Sequence, residues 1–151
     1  SLYFIGWLQA KGLLTAEEAQ QGYVRNIVWA FGHISRGMYT AGGNPRSYSQ
    51  LAAIQIGSLL DAGALSWRKD AQAQNGEDVG CFELDLAKVV PAVDALQRRA
   101  LKVKAGGDVA DAKAMLASYV DDTGEWSALR ATIAERWLRA DKATFVYAVQ
   151  K

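Results

Sequence analysis

Residues 44–57 read NPRSYSQLAAIQIG, and the helix that this stretch predicts decides how its neighbours must pack. A proline-led turn opens it, and the periodic residues that follow predict a helix over residues 46–61, ended by Gly63 in a left-handed conformation. Apolar residues occupy every side of this helix: Leu51, Ala52, Ala53, Ile54, Ile56, Leu59 and Leu60. A helix that is apolar all round is typical of a buried position.

Among the polar side chains of this helix, Tyr48, Gln50 and Gln55 are the ones whose surroundings need an explanation. Burying an amide without a partner costs about 1–3 kcal/mol, so each glutamine should bind another group or face a wet cleft. A hydrogen bond to another helix is the commoner solution, and we expect it for Gln55. Tyr48 lies at the N-terminus of the predicted helix, beside a glycine-rich turn. It is therefore the better candidate to present a hydroxyl to a ligand.

A second long helix is predicted upstream, after residue 15. Thr15 and Glu18 have the spacing of a capping box just before a long helical pattern. One stripe of this helix is apolar and comprises Ile27, Ala30, Phe31, Ile34 and Met38. Another comprises Arg25, Trp29, His33 and Arg36. The second stripe fits either a groove for an anionic group or a solvated face with one packed histidine, and the solvated face is favoured.

The chain opens on SLYFIGWLQAKG, residues 1–12, which is apolar from its second position. Its helical spacing is typical of the tail of a longer helix, and Ser1 is the sole candidate cap. If that helix were cut, an apolar surface around Leu2, Tyr3, Phe4 and Trp7 would be exposed and would favour self-association. A dimer of the fragment is compatible with this pattern.

The remainder predicts a hairpin, three helices and a final extended segment. Two short strand-like runs, residues 64–69 and 80–86, flank a polar linker with Asn75-Gly76, which indicates a β-hairpin with a long loop. Helical patterns cover residues 91–107, 108–120 and 124–140, and residues 143–151 should be extended. We therefore predict one mainly α domain over residues 1–151, with about six helices, one small β-hairpin and an extended C-terminal strand.

Composition narrows the classes of partner and cofactor. Seventeen basic against sixteen acidic residues, without a dense Lys/Arg run, favour neither nucleic acid nor a membrane surface as partner. No apolar run approaches the roughly 20 residues that span a bilayer. One cysteine and one histidine cannot hold zinc by themselves, so no cofactor is expected in this chain. The compartment stays open between cytoplasm and periplasm.

Taken in order, the segments of the chain resemble the C-terminal part of the dipeptidyl-peptidase III family of zinc metallopeptidases. LYFIGW is similar to the end of the helix that carries the family's second zinc motif, and YVRNIVWAFGHISRG is similar to the long helix after it. The hairpin and the later helices follow collinearly. LLDAG at residues 59–63 and GDVADAKAML at residues 107–116 carry the resemblance best.

The resemblance implies that this chain is a fragment, the C-terminal helical subdomain of a larger hydrolase. The family binds zinc through a His-Glu-x-x-x-His helix and a glutamate of a later Glu-Glu-x-x-x-Glu segment, and neither motif occurs here. The fragment would then be inactive by itself, and zinc would belong to the parent protein. Its partners would be the upstream catalytic region and a peptide substrate, for which this chain would form one wall of the cleft.

The resemblance also assigns roles to individual residues. The family places a transition-state-stabilising histidine where this chain has Tyr48, whose hydroxyl can likewise donate to a developing oxyanion. Lys142 matches the first of two basic residues that bind the peptide carboxylate, and Ala143 replaces the second. Arg139 would compensate, and Gln50 is a further substrate-binding candidate. The alternative function is a non-catalytic helical interaction module that docks a partner through the Arg25-to-Arg36 stripe and the N-terminal helix.

Overall fold

A computed structural model describes residues 2–139. Within that range the chain forms six helices and two strands: α1 (Leu2–Ala10), α2 (Ala16–Ile34), α3 (Ser47–Asp61), β1 (Leu65–Gln72), β2 (Val79–Leu84), α4 (Leu86–Gly106), α5 (Val109–Tyr119) and α6 (Glu125–Arg139). The predicted mainly α fold with one small hairpin is confirmed. The extended segment predicted for residues 143–151 lies outside the described residues.

Local capping chemistry sets most helix boundaries where the sequence predicts them. The backbone N–H of Glu18 donates to the Thr15 side chain, and the Glu18 carboxylate accepts from the Thr15 backbone, which completes the capping box. Asp108 caps α5 by accepting from the backbone N–H of Asp111. Gly107 ends α4 in the left-handed conformation, at φ 62°.

Helix α4 begins earlier than its proline indicates. The sequence predicts a start at Pro91, yet the helix starts at Leu86, so this boundary was wrong. Asp85 explains the difference, because its carboxylate accepts from the Ala87 backbone N–H and caps the helix five residues upstream of the expected start. Pro91 therefore lies inside the helix, in its second turn.

The hairpin packs beside α6. Its strands pair antiparallel with Leu65 opposite Leu84 and Trp67 opposite Phe82, and the register is irregular between Arg68 and Gln72. The side chain of Asn75 accepts from the backbone N–H groups of two later loop residues, and Gly76 takes φ 74°. The predicted Asn-Gly loop is confirmed.

Helix α2 is the centre of the core and packs against α1, α3 and α6. Ala30 of α2 and Ala52 of α3 are completely buried. The expectation that α3 is enclosed on every side was wrong for its first turns. Leu51 is 44 % exposed and Tyr48 is 65 % exposed. The side of the first turns that carries Tyr48 and Leu51 therefore faces outward, whereas Ser49 on another side of the same turns is buried.

Candidate functional site

The connection between α2 and α3 brings the start of α3 against the end of α2. The Ser49 hydroxyl donates to the His33 carbonyl oxygen at 2.7 Å. The Met38 carbonyl oxygen accepts from the Arg46 backbone N–H at 2.9 Å and from the Gln50 side-chain amide at 3.3 Å. These bonds hold the first turn of α3, and with it Tyr48, beside the last turns of α2.

Three aromatic rings meet at this junction, and we call them the aromatic cluster: Trp29, His33 and Tyr48. The ring centroids of Trp29 and His33 lie 4.3 Å apart, and those of His33 and Tyr48 lie 5.4 Å apart. Trp29 and Tyr48 meet edge to face at 6.3 Å. The Tyr48 hydroxyl makes no hydrogen bond to another described residue. The cluster thus presents a free phenol beside an imidazole at the surface.

A cavity of about 490 Å³ adjoins the aromatic cluster. Its wall combines side chains of α2 and α6: Trp29, Gly32, His33, Ser35, Arg36, Trp137 and Leu138. Gly32 matters here because a side chain at this position would overlap the Trp137 ring. Glycine therefore lets the indole of α6 lie against α2 and close one side of the cavity.

The electrostatics of the junction favour negative charge. Partial burial, and secondly the neighbouring positive charge of Arg36, hold the pKa of His33 below its usual value of 6.5. His33 is therefore a neutral imidazole at pH 7. The N-terminus of α3 has no side-chain cap, since Arg46 makes no capping bond. The free backbone N–H groups of a helix N-terminus carry partial positive charge.

The structure separates the other predicted site residues from the aromatic cluster or ties them into the fold. Gln50 donates its amide to the Met38 carbonyl, so its nitrogen is engaged within the protein. Lys142 lies outside the described residues. The substrate-binding roles of both residues stay predictions.

Arg139 is directed toward the hairpin loop. Its guanidinium contacts the Asp78 carboxylate at 2.8 Å and the Glu135 carboxylate at 2.8 Å. Asn75, and after it Arg139, hold the pKa of Asp78 below the usual value. Leu138, the residue before Arg139, lines the cavity beside the aromatic cluster. Arg139 itself links α6 to the hairpin through its ion pair with Asp78. These ion pairs account for the position of Arg139 at the end of α6, where a cation is also favoured by the helix dipole.

Gln55 departs from its expected environment. Its side-chain oxygen is buried and has no hydrogen-bond partner among residues 2–139, so the expectation of an inter-helix bond was wrong for this atom. The amide lies on the wall of a mainly apolar cavity of about 320 Å³ between α3 and its neighbours. An unsatisfied acceptor of this kind is unusual in a folded interior.

The described residues, 2–139, do not form a zinc site by themselves. Within this described range, no group of three or more His, Cys, Asp or Glu side chains is arranged to hold a metal ion. No helix of residues 2–139 is both long and apolar enough to cross a membrane.

The chain matches no model of a known protein family, and a search of curated proteins finds no match either.

Sequence reasoning treated the α2 stripe and Tyr48 as separate features, and the structure brings them together. It also missed Trp137 as part of a cavity wall, because the spacing of Trp137 with Ile133 is typical of a core face. The signal that was present is Gly32, a glycine within a helical pattern, two residues before the end of α2. Such a residue often marks the close approach of another element.

Proposed function

We propose that this chain forms one wall of the peptide-binding cleft of a zinc-dependent, dipeptidyl-peptidase-III-like hydrolase, with Tyr48 as a donor to the oxyanion. The observation that carries this proposal is the free, exposed phenol of Tyr48 at the N-terminus of α3, at the position where the sequence resemblance predicts a transition-state-stabilising group. The reaction, zinc-dependent release of dipeptides, is inferred from the resemblance. The exposed Tyr48 hydroxyl is the group through which this chain would take part in it.

The Tyr48 hydroxyl suits the role of an oxyanion donor for two reasons. It is not engaged by another described residue, so it can donate to a substrate without breaking a bond of the fold. Its ring is steadied on one side by the His33 and Trp29 rings. A donor that is positioned in advance stabilises developing charge without the cost of reorganisation.

The surroundings of Tyr48 would add to this stabilisation. The uncapped N-terminus of α3 favours negative charge beside Tyr48, and the Arg36 guanidinium, whose charge reaches His33, favours it in the adjoining cavity. The Trp29 and Trp137 rings offer apolar walls for substrate side chains in the adjoining cavity. Binding and charge stabilisation would therefore be provided by neighbouring parts of one surface.

The direct experiment is an assay of the full-length protein that contains this chain. We expect it to contain a His-Glu-x-x-x-His segment upstream, to bind zinc, and to release dipeptides from Xaa-Xaa-naphthylamide substrates. A chelator should abolish the activity, and added zinc should restore it. A full-length protein without that segment, without zinc and without dipeptidase activity would overturn the proposal.

A second candidate function is a non-catalytic interaction module, and the exposed apolar face of α1 favours it. Phe4 is 58 % exposed and Trp7 is 43 % exposed on a helix that contains no charged residue. Surfaces of this kind are typical of protein interfaces. The same assay separates the two functions, because a module would bind a partner through α1 and show no zinc-dependent hydrolysis.

A further inference from the structure

The cavity beside the aromatic cluster is open to solvent and has apolar side chains of both α2 and α6 in its wall. Trp29 is 38 % exposed and Leu138 is 59 % exposed, and the Trp137 ring lies against Gly32. The volume of about 490 Å³ lies within the range of roughly 300–1,000 Å³ that is typical of ligand sites. Apolar walls alone do not define a ligand, so the charge on this wall decides its class.

The wall carries one positive charge, that of Arg36. Among the described residues that line the cavity there is no Asp or Glu. Within residues 2–139, Arg36 makes no ion pair of its own. Its charge helps to lower the pKa of His33 on the same wall, so the charge acts within the cavity. The cavity therefore favours an anionic ligand.

The acidic side chains near the end of α6 are bound by another arginine. The Arg139 guanidinium donates to the Glu135 carboxylate at 2.8 Å and to the Asp78 carboxylate at 2.8 Å. These two carboxylates join α6 to itself and to the hairpin loop. They are therefore not available to neutralise Arg36.

One guanidinium beside a neutral imidazole suits a ligand with a single negative charge. A guanidinium binds a carboxylate through paired N–H donors. A phosphate dianion would find only one counter-charge on this wall and would lose hydration that the apolar remainder does not replace. A carboxylate is therefore the favoured anion.

The polar groups of the wall favour a carboxylate on a side chain over one at the end of a backbone. A backbone that entered the cavity would bring N–H and C=O groups that need partners. The Ser35 hydroxyl already donates to the Gly32 carbonyl oxygen at 2.9 Å. An Asp or Glu side chain can instead reach Arg36 on an apolar stem while its backbone stays at the rim.

We propose that the cavity beside the aromatic cluster binds an Asp or Glu side chain of a peptide, with Arg36 as its counter-charge and the Trp29 and Trp137 rings against the apolar parts of the neighbouring residue. That this peptide is also the substrate rests on the proposed function, whereas the binding itself does not. Arg36 is then a specificity-determining residue, which selects acidic over neutral peptides.

Three short peptides test this proposal. N-acetyl-Phe-Glu-amide and N-acetyl-Phe-Gln-amide have nearly the same shape, and only the first is charged. N-acetyl-Phe-Gln with a free carboxyl terminus carries the charge on its backbone instead. Each would be titrated into the 151-residue chain at pH 7 while the NMR signals of the Trp29 and Trp137 indole N–H groups are followed.

We expect saturable shifts with the Glu peptide and about fivefold weaker binding of both Gln peptides, because the ion pair with Arg36 is lost. The titration of His33 gives an independent readout. A carboxylate bound beside the imidazole stabilises its protonated form, so the Glu peptide should raise the pKa of His33. The uncharged Gln peptide should leave that pKa unchanged.

Two variants of exposed arginines on α2 locate the effect. Arg36→Gln should abolish the preference for the Glu peptide. Arg25→Gln is the matched control, since Arg25 lies on the same helix but does not line the cavity, and the preference should persist. In the full-length protein, Arg36→Gln should lower kcat/KM about fivefold for a Glu-containing substrate and leave it unchanged for the Gln counterpart.

Equal affinities for the Glu and Gln amides would overturn the proposal, as would a preference that survives Arg36→Gln. Equal binding of the Glu amide and the free-carboxyl Gln peptide would overturn the assignment to a side chain. Tighter binding of the Glu peptide by Asp141→Asn would also contradict it, because the chain's own Asp141 carboxylate would then be the occupant.

The failure of this inference is distinguishable from that of the proposed function. A full-length protein that releases dipeptides without any preference for acidic substrates would contradict this inference alone. A full-length protein without peptidase activity would contradict the proposed function, and the titrations would still decide whether the cavity binds an acidic side chain.

Discussion

The two ends of helix α3 differ in how completely their polar and aromatic groups are satisfied. Toward the C-terminus, the Tyr119 ring packs directly over Gly57 and its hydroxyl donates to the Asp61 carboxylate at 2.7 Å. Toward the N-terminus, the exposed Tyr48 hydroxyl makes no hydrogen bond within residues 2–139, and at mid-helix the Gln55 side-chain oxygen has no partner in the same range. Both ends of α3 are fastened to the fold, the N-terminal end through Ser49 and Gln50, but among these groups the Tyr48 hydroxyl is not used by the described part of the fold. We infer that stability and function are divided along this one helix.

The largest effect on stability should come from Gly57→Ala. An added methyl group would overlap the Tyr119 ring, so the ring and α5 must shift. We expect the free energy of unfolding to fall by about 1–3 kcal/mol, as is typical of overpacking. Denaturant unfolding followed by circular dichroism measures this change.

Gly106→Ala is the matched control for that substitution. Gly106 is the last residue of α4, and no atom lies close enough to meet an added methyl group. Stability should stay the same or rise by up to about 1 kcal/mol, because alanine restricts the unfolded chain. Equal losses at Gly57 and Gly106 would mean that the Tyr119 contact does not fix α3.

A smaller effect should come from Tyr119→Phe. The substitution removes the hydrogen bond to Asp61 and keeps the ring over Gly57, so the expected loss is about 1 kcal/mol. Tyr48→Phe makes the same chemical change at the exposed end and should alter stability by less than about 0.5 kcal/mol. A loss at Tyr48 as large as that at Tyr119 would contradict the division along α3.

The smallest effect should be the pH dependence that His33 contributes. Its pKa lies below 6.5 because of partial burial and the Arg36 charge, so the unfolded chain takes up the proton more readily. The stability contributed by the neutral imidazole is therefore present above pH 6.5 and is lost as the pH falls toward the pKa in the folded state.

His33 is the one histidine of the chain, so its ring protons report its titration by NMR without ambiguity. Arg36→Ala should move the pKa upward, toward 6.5, and His33→Gln should remove the corresponding loss of thermal stability below that pH. A pKa above 6.5 in the unaltered protein would show that His33 is not held beside Arg36 as described.

The parts of the fold that depend on local chemistry were predictable from the sequence. Thr15 and Asp108 cap helices because their side chains reach backbone groups only three residues away. Pro91 misled the prediction for α4, because a proline suits the first turn of a helix but is also tolerated in this second turn. Asp85, whose capping role competes with that of the proline, decided the boundary.

The candidate site depends on packing between distant segments and was predictable only in part. Tyr48 is exposed, and its role in presenting a hydroxyl to a ligand stays a prediction. The Tyr48 ring lies beside the His33 ring because hydrogen bonds such as that from Ser49 to the His33 carbonyl hold the start of α3 against the end of α2. No local sequence pattern indicates these bonds. The sequence could not show that the Gln55 side-chain oxygen lacks a hydrogen-bond partner, because that depends on which helix packs against it.

The most direct test of this division along α3 is the turnover of Tyr48→Phe in the full-length protein, assayed for the proposed peptidase activity and measured beside the unfolding midpoint of the same variant. Tyr39→Phe is the control, since the Tyr39 hydroxyl is engaged by Asp121. The account predicts that Tyr48→Phe lowers turnover by about 10²- to 10³-fold, as loss of an oxyanion donor does, and leaves the unfolding midpoint unchanged. The turnover of Tyr39→Phe should equal that of the unaltered protein. Full turnover in Tyr48→Phe would contradict it.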